Sequence, residues 1–277
     1  MADATKPQIA GPSAPKEDEL AGTEAPLLDH LIELRKRLIY CAITVVVLTM
    51  GCFVFAQGIY DLLLVPYRRA VANPEDLQLI YTAPQELFFT YLNVALFGAI
   101  FLGFPIVATQ VYAFVAPGLY KSERRAFVPY LVATPLFFLA GAMLVYLAVL
   151  PMALHFFAGM QTGEITMLVS VSEYLGLAMT LIIAFGICFQ LPVVLTLLAQ
   201  IDLIGVDFLR KGRRYAVVAI LALAALLTPP DPISQIGLAL PMYLLYEVSI
   251  LSVRWVERRR AERLAAEAAA VGSDVAE

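Results

Sequence analysis

The chain has 277 residues, of which 61% are hydrophobic and 15% are charged; soluble domains sit near ~45–50% apolar and ~25% charged. A water-soluble core of this size cannot hide that excess, whereas a bilayer is itself an apolar solvent. The net charge of -4 decides little, because the placement of the charges matters more than their sum.

Residues 1–26 lack the apolar core of a cleavable signal peptide and carry Asp3, Glu17, Asp18, Glu19 and Glu24. Their Ala, Pro and acid content predicts a disordered tail. A span needs ~20 apolar residues to cross ~30 Å of hydrocarbon. Residues 38–56 are the first such run. Residues 87–120 are the second, interrupted by Pro105 and Pro117. As one helix that run would reach ~51 Å, so part of it is expected to leave the membrane or break. Residues 126–158 and 174–201 are the third and fourth runs.

The end of the chain is different. Residues 215–227 make only ~20 Å of helix, and Thr228-Pro229-Pro230-Asp231-Pro232 then forces a turn. Residues 233–253 return with Pro241 and Glu247 inside. This pattern predicts a hairpin of two short or partial spans; the alternative is a re-entrant pair that never crosses. Residues 261–277 form an Ala/Glu-rich second tail, helical at its start.

The basic residues orient these runs. Arg35, Lys36 and Arg37 precede the first. Lys121, Arg124 and Arg125 follow the second, and Arg210, Lys211, Arg213 and Arg214 follow the fourth. Arg254, Arg258, Arg259, Arg260 and Arg263 follow the last. All fifteen fall on one side, and the opposite loops hold only Arg68 and Arg69. Lys and Arg are retained in the cytoplasm, so the number of crossings is even and both ends are cytoplasmic. The expected fold is all-α: a polytopic bacterial inner-membrane protein with six transmembrane helices, the last two short. A tail (1–26), a six-helix domain (27–255) and a second tail (256–277) divide the chain. Cys41, Cys52 and Cys188 all lie in apolar runs. The first two are ~16 Å apart along one helix, too far to bond, which predicts free buried thiols.

Enzyme signatures are missing. There is no HExxH, GxSxG or P-loop, and His30 and His155 are far apart. No catalytic residue, metal, cofactor or nucleic-acid partner is expected. Charged and polar residues at the rims carry more information. Glu33 is spaced to pair with Arg37 at i,i+4, and Glu123 stands in a loop otherwise basic. Taken alone, each reads as a weak exposed ion pair. Within the apolar runs, Gln190 and Glu247 are costly unless paired or functional. Asp231 and Gln235 mark the tip of the terminal hairpin, where Asp231 can cap the last helix. Pro66, in the first outer loop, rigidifies a turn.

Five stretches, taken in order, resemble one family. They are His30-Leu-Ile-Glu-Leu-Arg-Lys-Arg-Leu38, the run from Gln110 through Ala116-Pro-Gly-Leu-Tyr-Lys-Ser-Glu-Arg-Arg125, Ala184-Phe-Gly-Ile-Cys-Phe-Gln-Leu-Pro192, Leu227-Thr-Pro-Pro-Asp-Pro-Ile-Ser-Gln235 and Pro241-Met-Tyr-Leu-Leu-Tyr-Glu247. Together they span about residues 28–255 and resemble the TatC family, the large multi-span subunits of the twin-arginine protein translocase. The resemblance implies a receptor for signal peptides with paired arginines, driven by the proton motive force. It also implies partnership with single-span TatA- and TatB-type subunits, contact with membrane lipids, and self-association. Glu33 and Glu123 stand where the family's arginine-contacting acids stand, which suits guanidinium chemistry. Arg35, Arg37 and Phe114 match positions linked to signal recognition, and Pro66, Asp231 and Gln235 match outer-side functional positions. Gln190 departs from the family, many members of which carry Glu there. It keeps hydrogen bonding but cannot ionise, and is read, with Glu247, as a docking position for partner helices. Two other functions stay open at this point. One is a proton- or ion-coupled small-solute transporter using Glu247 and Gln190, and the other is an assembly scaffold with no transport role.

Overall fold

In hydrocarbon every backbone N–H and C=O must be satisfied within the protein, so apolar runs become helices. The computed structural model describes residues 17–70, 79–115, 128–159, 169–227 and 232–274, and nearly all of this is helical. The helices are α1 (Glu17–Val54), α2 (Ala56–Ala70), α3 (Glu86–Val115), α4 (Val128–Leu144), α5 (Leu150–Ala158), α6 (Val171–Cys188), α7 (Leu191–Gln200), α8 (Val206–Leu227) and α9 (Pro232–Asp274). A π-helical turn, Val145–Val149, joins α4 to α5. Strands β1 (Leu79–Ile80) and β2 (Val169–Ser170) pair in parallel, Leu79 beside Val169 and Ile80 beside Ser170.

Among the described residues, five helical stretches are long and apolar enough to cross a bilayer: His30–Val54, Glu86–Phe114, Pro129–Ala158, Val171–Gln200 and Gln235–Ala266. Helix α8 is not one of them, because Arg210, Lys211, Arg213 and Arg214 fill its first half. Several sequence expectations need correction. Pro105 does not break α3, which runs through it without interruption. Helix α1 begins at Glu17, so residues 17–26 are helical rather than part of a disordered tail. Cys41 is only half-buried, unlike Cys52 and Cys188, and all three are free thiols.

The core lies around α6. Leu175, Ala178, Leu181 and Phe185 are almost inaccessible. Close helix approach here depends on missing side chains, as is common where spans pack in a membrane. A Cβ on Gly141 would meet the Phe185 carbonyl oxygen at 2.6 Å, and one on Gly186 would meet the Phe138 ring at 2.5 Å. That ring is in turn stacked on Phe104 at 3.9 Å.

Pro66 is the largest correction. It sits inside helix α2, not in a turn, and is fully buried. Proline removes the N–H that would bond the carbonyl four residues back, which here is that of Leu62. The α2 helix accommodates this because its carbonyls find partners elsewhere: Tyr146 donates to Leu62 O at 2.8 Å and Tyr174 donates to Leu63 O at 2.8 Å.

Candidate functional site

The amino-terminal rim is built by α1 lying on α3. Helical spacing places His30, Glu33 and Arg37 at i, i+3 and i+7, on one face. Opposite them α3 presents Gln110 and Phe114. The His30 ring stacks on Phe114 with centroids 4.2 Å apart and planes 22° from parallel. Arg37 holds Glu33 through Nε, 3.0 Å from Oε1, and also through Nη2 to the same oxygen. Its Nη1 reaches Gln110 Oε1 at 3.4 Å. The i,i+4 pair expected from the sequence therefore forms, and a residue it did not single out, Gln110, joins it. Both bonds fall on Oε1; among the described residues Oε2 of Glu33 accepts none. Ile32, Glu33, Lys36, Arg37, Tyr40 and Gln110 line a groove of about 470 Å³ beside this pair. Glu33 is one-third exposed, at 33%, and Arg35 is exposed. The groove thus sets an accessible carboxylate and the Gln110 amide among Ile32, Tyr40 and the cations Lys36 and Arg37. The free oxygen of that carboxylate suits a guanidinium. Glu123 and Asp231 lie outside the described residues.

The intramembrane candidates are engaged within the chain. Gln190 stands at the break between α6 and α7. Its backbone N–H bonds Ile187 O at 2.9 Å, a tightened turn that leaves the Gly186 carbonyl without its usual partner. The side-chain amide of Gln190 donates to that carbonyl at 3.4 Å and to Thr134 O on α4 at 3.0 Å. Thr134 also shares a hydroxyl hydrogen bond with Tyr112 of α3 at 2.6 Å, so three spans meet there. Glu247 is held by Arg213 of α8 at 2.7 Å and accepts from Tyr243 at 3.0 Å.

The same end of the α8–α9 hairpin carries further ties. Tyr246 donates to Leu209 O at 2.7 Å, and Glu257 accepts from the Val206 N–H that opens α8 at 2.8 Å. Arg260 pairs with Asp202 at 2.7 Å. Near the other end, Gln235 donates to Leu221 O at 3.2 Å. Arg259 lies over the Trp255 ring at 3.8 Å, an amphipathic pair of the kind that marks a membrane–water boundary.

A family model described as "Sec-independent protein translocase protein (TatC)" matches residues 29–241. The Sec-independent protein translocase protein TatC of Magnetococcus marinus is 43% identical, over 91% of this chain and 92% of that one. The chain belongs to the TatC family. The TatC of Escherichia coli K12 is 38% identical over 83% of this chain and 88% of its own. A crystal structure of a twin-arginine translocase receptor TatC superposes with a TM-score of 0.74 at 33% identity, covering 82% of this chain and 99% of that one. The resemblance read from the five motifs is therefore correct, and it favours protein translocation over small-solute transport. The TatC family is one of protein-transport components, and its member here is a multi-pass membrane protein.

A second residue of this TatC chain, besides Gln110, escaped the sequence reading. Glu86, at the start of α3, accepts hydrogen bonds through Oε1 from the hydroxyl of Ser170 and from Ser172, hydroxyl at 2.6 Å and amide at 3.4 Å. Through Oε2 it accepts from the amide and hydroxyl of Thr82 and from the Ala83 N–H at 3.3 Å. This carboxylate fastens the lead-in to α3 to the lead-in to α6, beside the β1–β2 pair. The available signal was an acid immediately ahead of an apolar run, a position favoured by the helix dipole. The serines that bind it are some 85 positions away and give no sign of it. On α2, burial pushes the Tyr67 phenol above its ordinary value.

Proposed function

We propose that this chain is the signal-peptide receptor and core subunit of a twin-arginine translocase, exporting folded proteins across a bacterial inner membrane at the expense of the proton motive force. In this reading α8 also crosses, fifth in chain order, which brings the crossings to six. It brings both termini to the cytoplasmic side, where the fifteen basic residues lie. Its apolar half is ~20 Å long against ~30 Å of hydrocarbon, so the terminal hairpin thins the bilayer locally at modest cost. The observation that carries the receptor role is Glu33 in the α1–α3 groove, with Oε1 occupied by Arg37. One arginine of the signal peptide binds Glu33 and the other binds Glu123. Arg35, Arg37 and Phe114 shape the surroundings, and Gln110 joins them. The single-span TatA- and TatB-type subunits are the partner helices, and copies of the chain associate with one another. Gln190 and Glu247 position the helices against which those partners dock, and Pro66, Asp231 and Gln235 serve as outer-side functional residues.

The test is direct binding of a twin-arginine peptide, with a twin-lysine peptide as control, to the full chain and to Glu33→Ala/Glu123→Ala. A charge-assisted hydrogen bond contributes about 1.5–3 kcal/mol, so the double variant loses about 100-fold or more in affinity. Unchanged affinity removes the assignment, as does equal binding of the twin-lysine peptide.

A further inference from the structure

We propose that Tyr174 and Tyr146 are the positioning residues through which Pro66 acts, pinning the short helix α2 across the ends of two spans; this rests on the reading of Pro66 as an outer-side functional residue of the translocase.

Three independent features of the chain converge on one turn of α2. Pro66 leaves the Leu62 carbonyl without an N–H partner. The Tyr146 hydroxyl takes it at 2.8 Å from 84 positions away. One residue on, the Tyr174 hydroxyl takes Leu63 O at 2.8 Å in a buried bond. Tyr146 and Tyr174 thus hold two successive carbonyls of α2. The rings of Tyr67 and Tyr174 pack at 5.1 Å.

Tyr146 is aimed by a second irregularity. It belongs to the π-helical turn Val145–Val149, in which the Leu150 N–H bonds Val145 O, five residues back. Pro151 follows directly and supplies no N–H. The extra residue in that turn shifts the register of the span, and π-bulges recur at functional positions. Two prolines on two different elements thus create one exposed carbonyl and one redirected hydroxyl, and the two meet. Leu62, Leu63 and Tyr146 also line an apolar groove of about 450 Å³ between α2, α3 and α4, so the latch sets the wall of that groove.

A double-variant cycle tests this in cells expressing the full chain with its partner subunits. The readouts are export of a folded reporter and, separately, binding of a twin-arginine peptide. Tyr174→Phe lowers export about tenfold, since it leaves a buried carbonyl unpaired, while peptide binding at the other rim stays unchanged. Tyr146→Phe lowers export in the parent but adds nothing in Pro66→Ala, where the new N–H at position 66 bonds Leu62 O itself. Hydrogen exchange along α2 speeds up in Tyr174→Phe and not in Tyr60→Phe, a tyrosine control on α2 itself. Parent-level export by Tyr174→Phe overturns the proposal, and so do effects of Tyr146→Phe and Pro66→Ala that simply multiply. If Tyr174→Phe fails to accumulate, the Pro66–Tyr146 cycle decides alone. Failure of the parent to bind twin-arginine peptide counts against the receptor reading instead, and leaves the exchange measurement to judge the latch.

Discussion

Helices α1 and α6 are both long and apolar, yet they are built in opposite ways. Along α1, Leu38 is 66% exposed, Met50 72% and Val54 78%, and the helix leans on α3 almost alone. Helix α6 is surrounded: its inward residues are nearly inaccessible, and Gly186 lets the Phe138 ring sit where a side chain would be. Polar contacts follow the same division. The α1 rim is held by side chains at its surface, Arg37 to Glu33 and Gln110, and by one stacked ring pair. Around α6 the polar groups are backbone carbonyls taken by fixed donors, Tyr174 on Leu63 and Gln190 on Thr134. A surface pair is weakly held and exchangeable, which a receptor for a transient guanidinium needs. A buried carbonyl–hydroxyl bond is not exchangeable, which a scaffold needs.

If this division is right, stability and binding respond to different substitutions. The largest effect belongs to Gly141→Val: its new atoms strike the Phe185 backbone oxygen, costing more than about 3 kcal/mol in the packed core. Loss of folded protein from membranes, measured by detergent extraction and thermal melting, is the expected outcome. Glu86→Gln comes next. It removes the charge that six donors serve, and costs about 2 kcal/mol. Faster cleavage by added protease near residues 79–86 checks it. Gln190→Ala loses the bridge to Thr134 and costs about 1 kcal/mol, the usual scale for a hydrogen bond between spans. Gln190→Glu is no milder, because an ionised carboxylate cannot donate to the two carbonyls. Melting of both variants side by side shows whether donation, rather than bulk, is what the site requires. Smallest is Glu33→Ala, within about 0.5 kcal/mol of the parent in melting temperature terms, although it weakens peptide binding. A large loss of stability in Glu33→Ala, or none in Gly141→Val, would break the contrast between the two regions.

Much of this was legible from residue order. The excess of apolar residues required a bilayer, and the i,i+4 spacing of Glu33 and Arg37 led directly to the observed pair. Family membership was readable because five motifs kept their order. What escaped was tertiary. Pro66 reads locally as a breaker, and only the distant hydroxyls of Tyr146 and Tyr174 explain how it fits inside a helix. Glu86 looked like a boundary residue because its serine partners lie across the fold. Gln190 reads as a costly polar residue in an apolar run, and only the tightened turn at Ile187 shows which carbonyl it serves. The charges at the start of α8 hid the length of that helix, because the apolar run begins only at Tyr215 while the helix begins at Val206.

Helix α9 has a mechanical consequence. At 43 residues it is a continuous rod of ~64 Å, about twice the thickness of the hydrocarbon it enters. Its Glu257 and Arg260 grip the turn between α7 and α8, so the rod has a fulcrum there and an overhang beyond it. The residues past Glu257 extend ~25 Å, and a rocking of about 10° at the grip sweeps the tip through about 4 Å. Any tilt of α8 is thereby amplified into a displacement of the overhang, which a label near residue 270 would register.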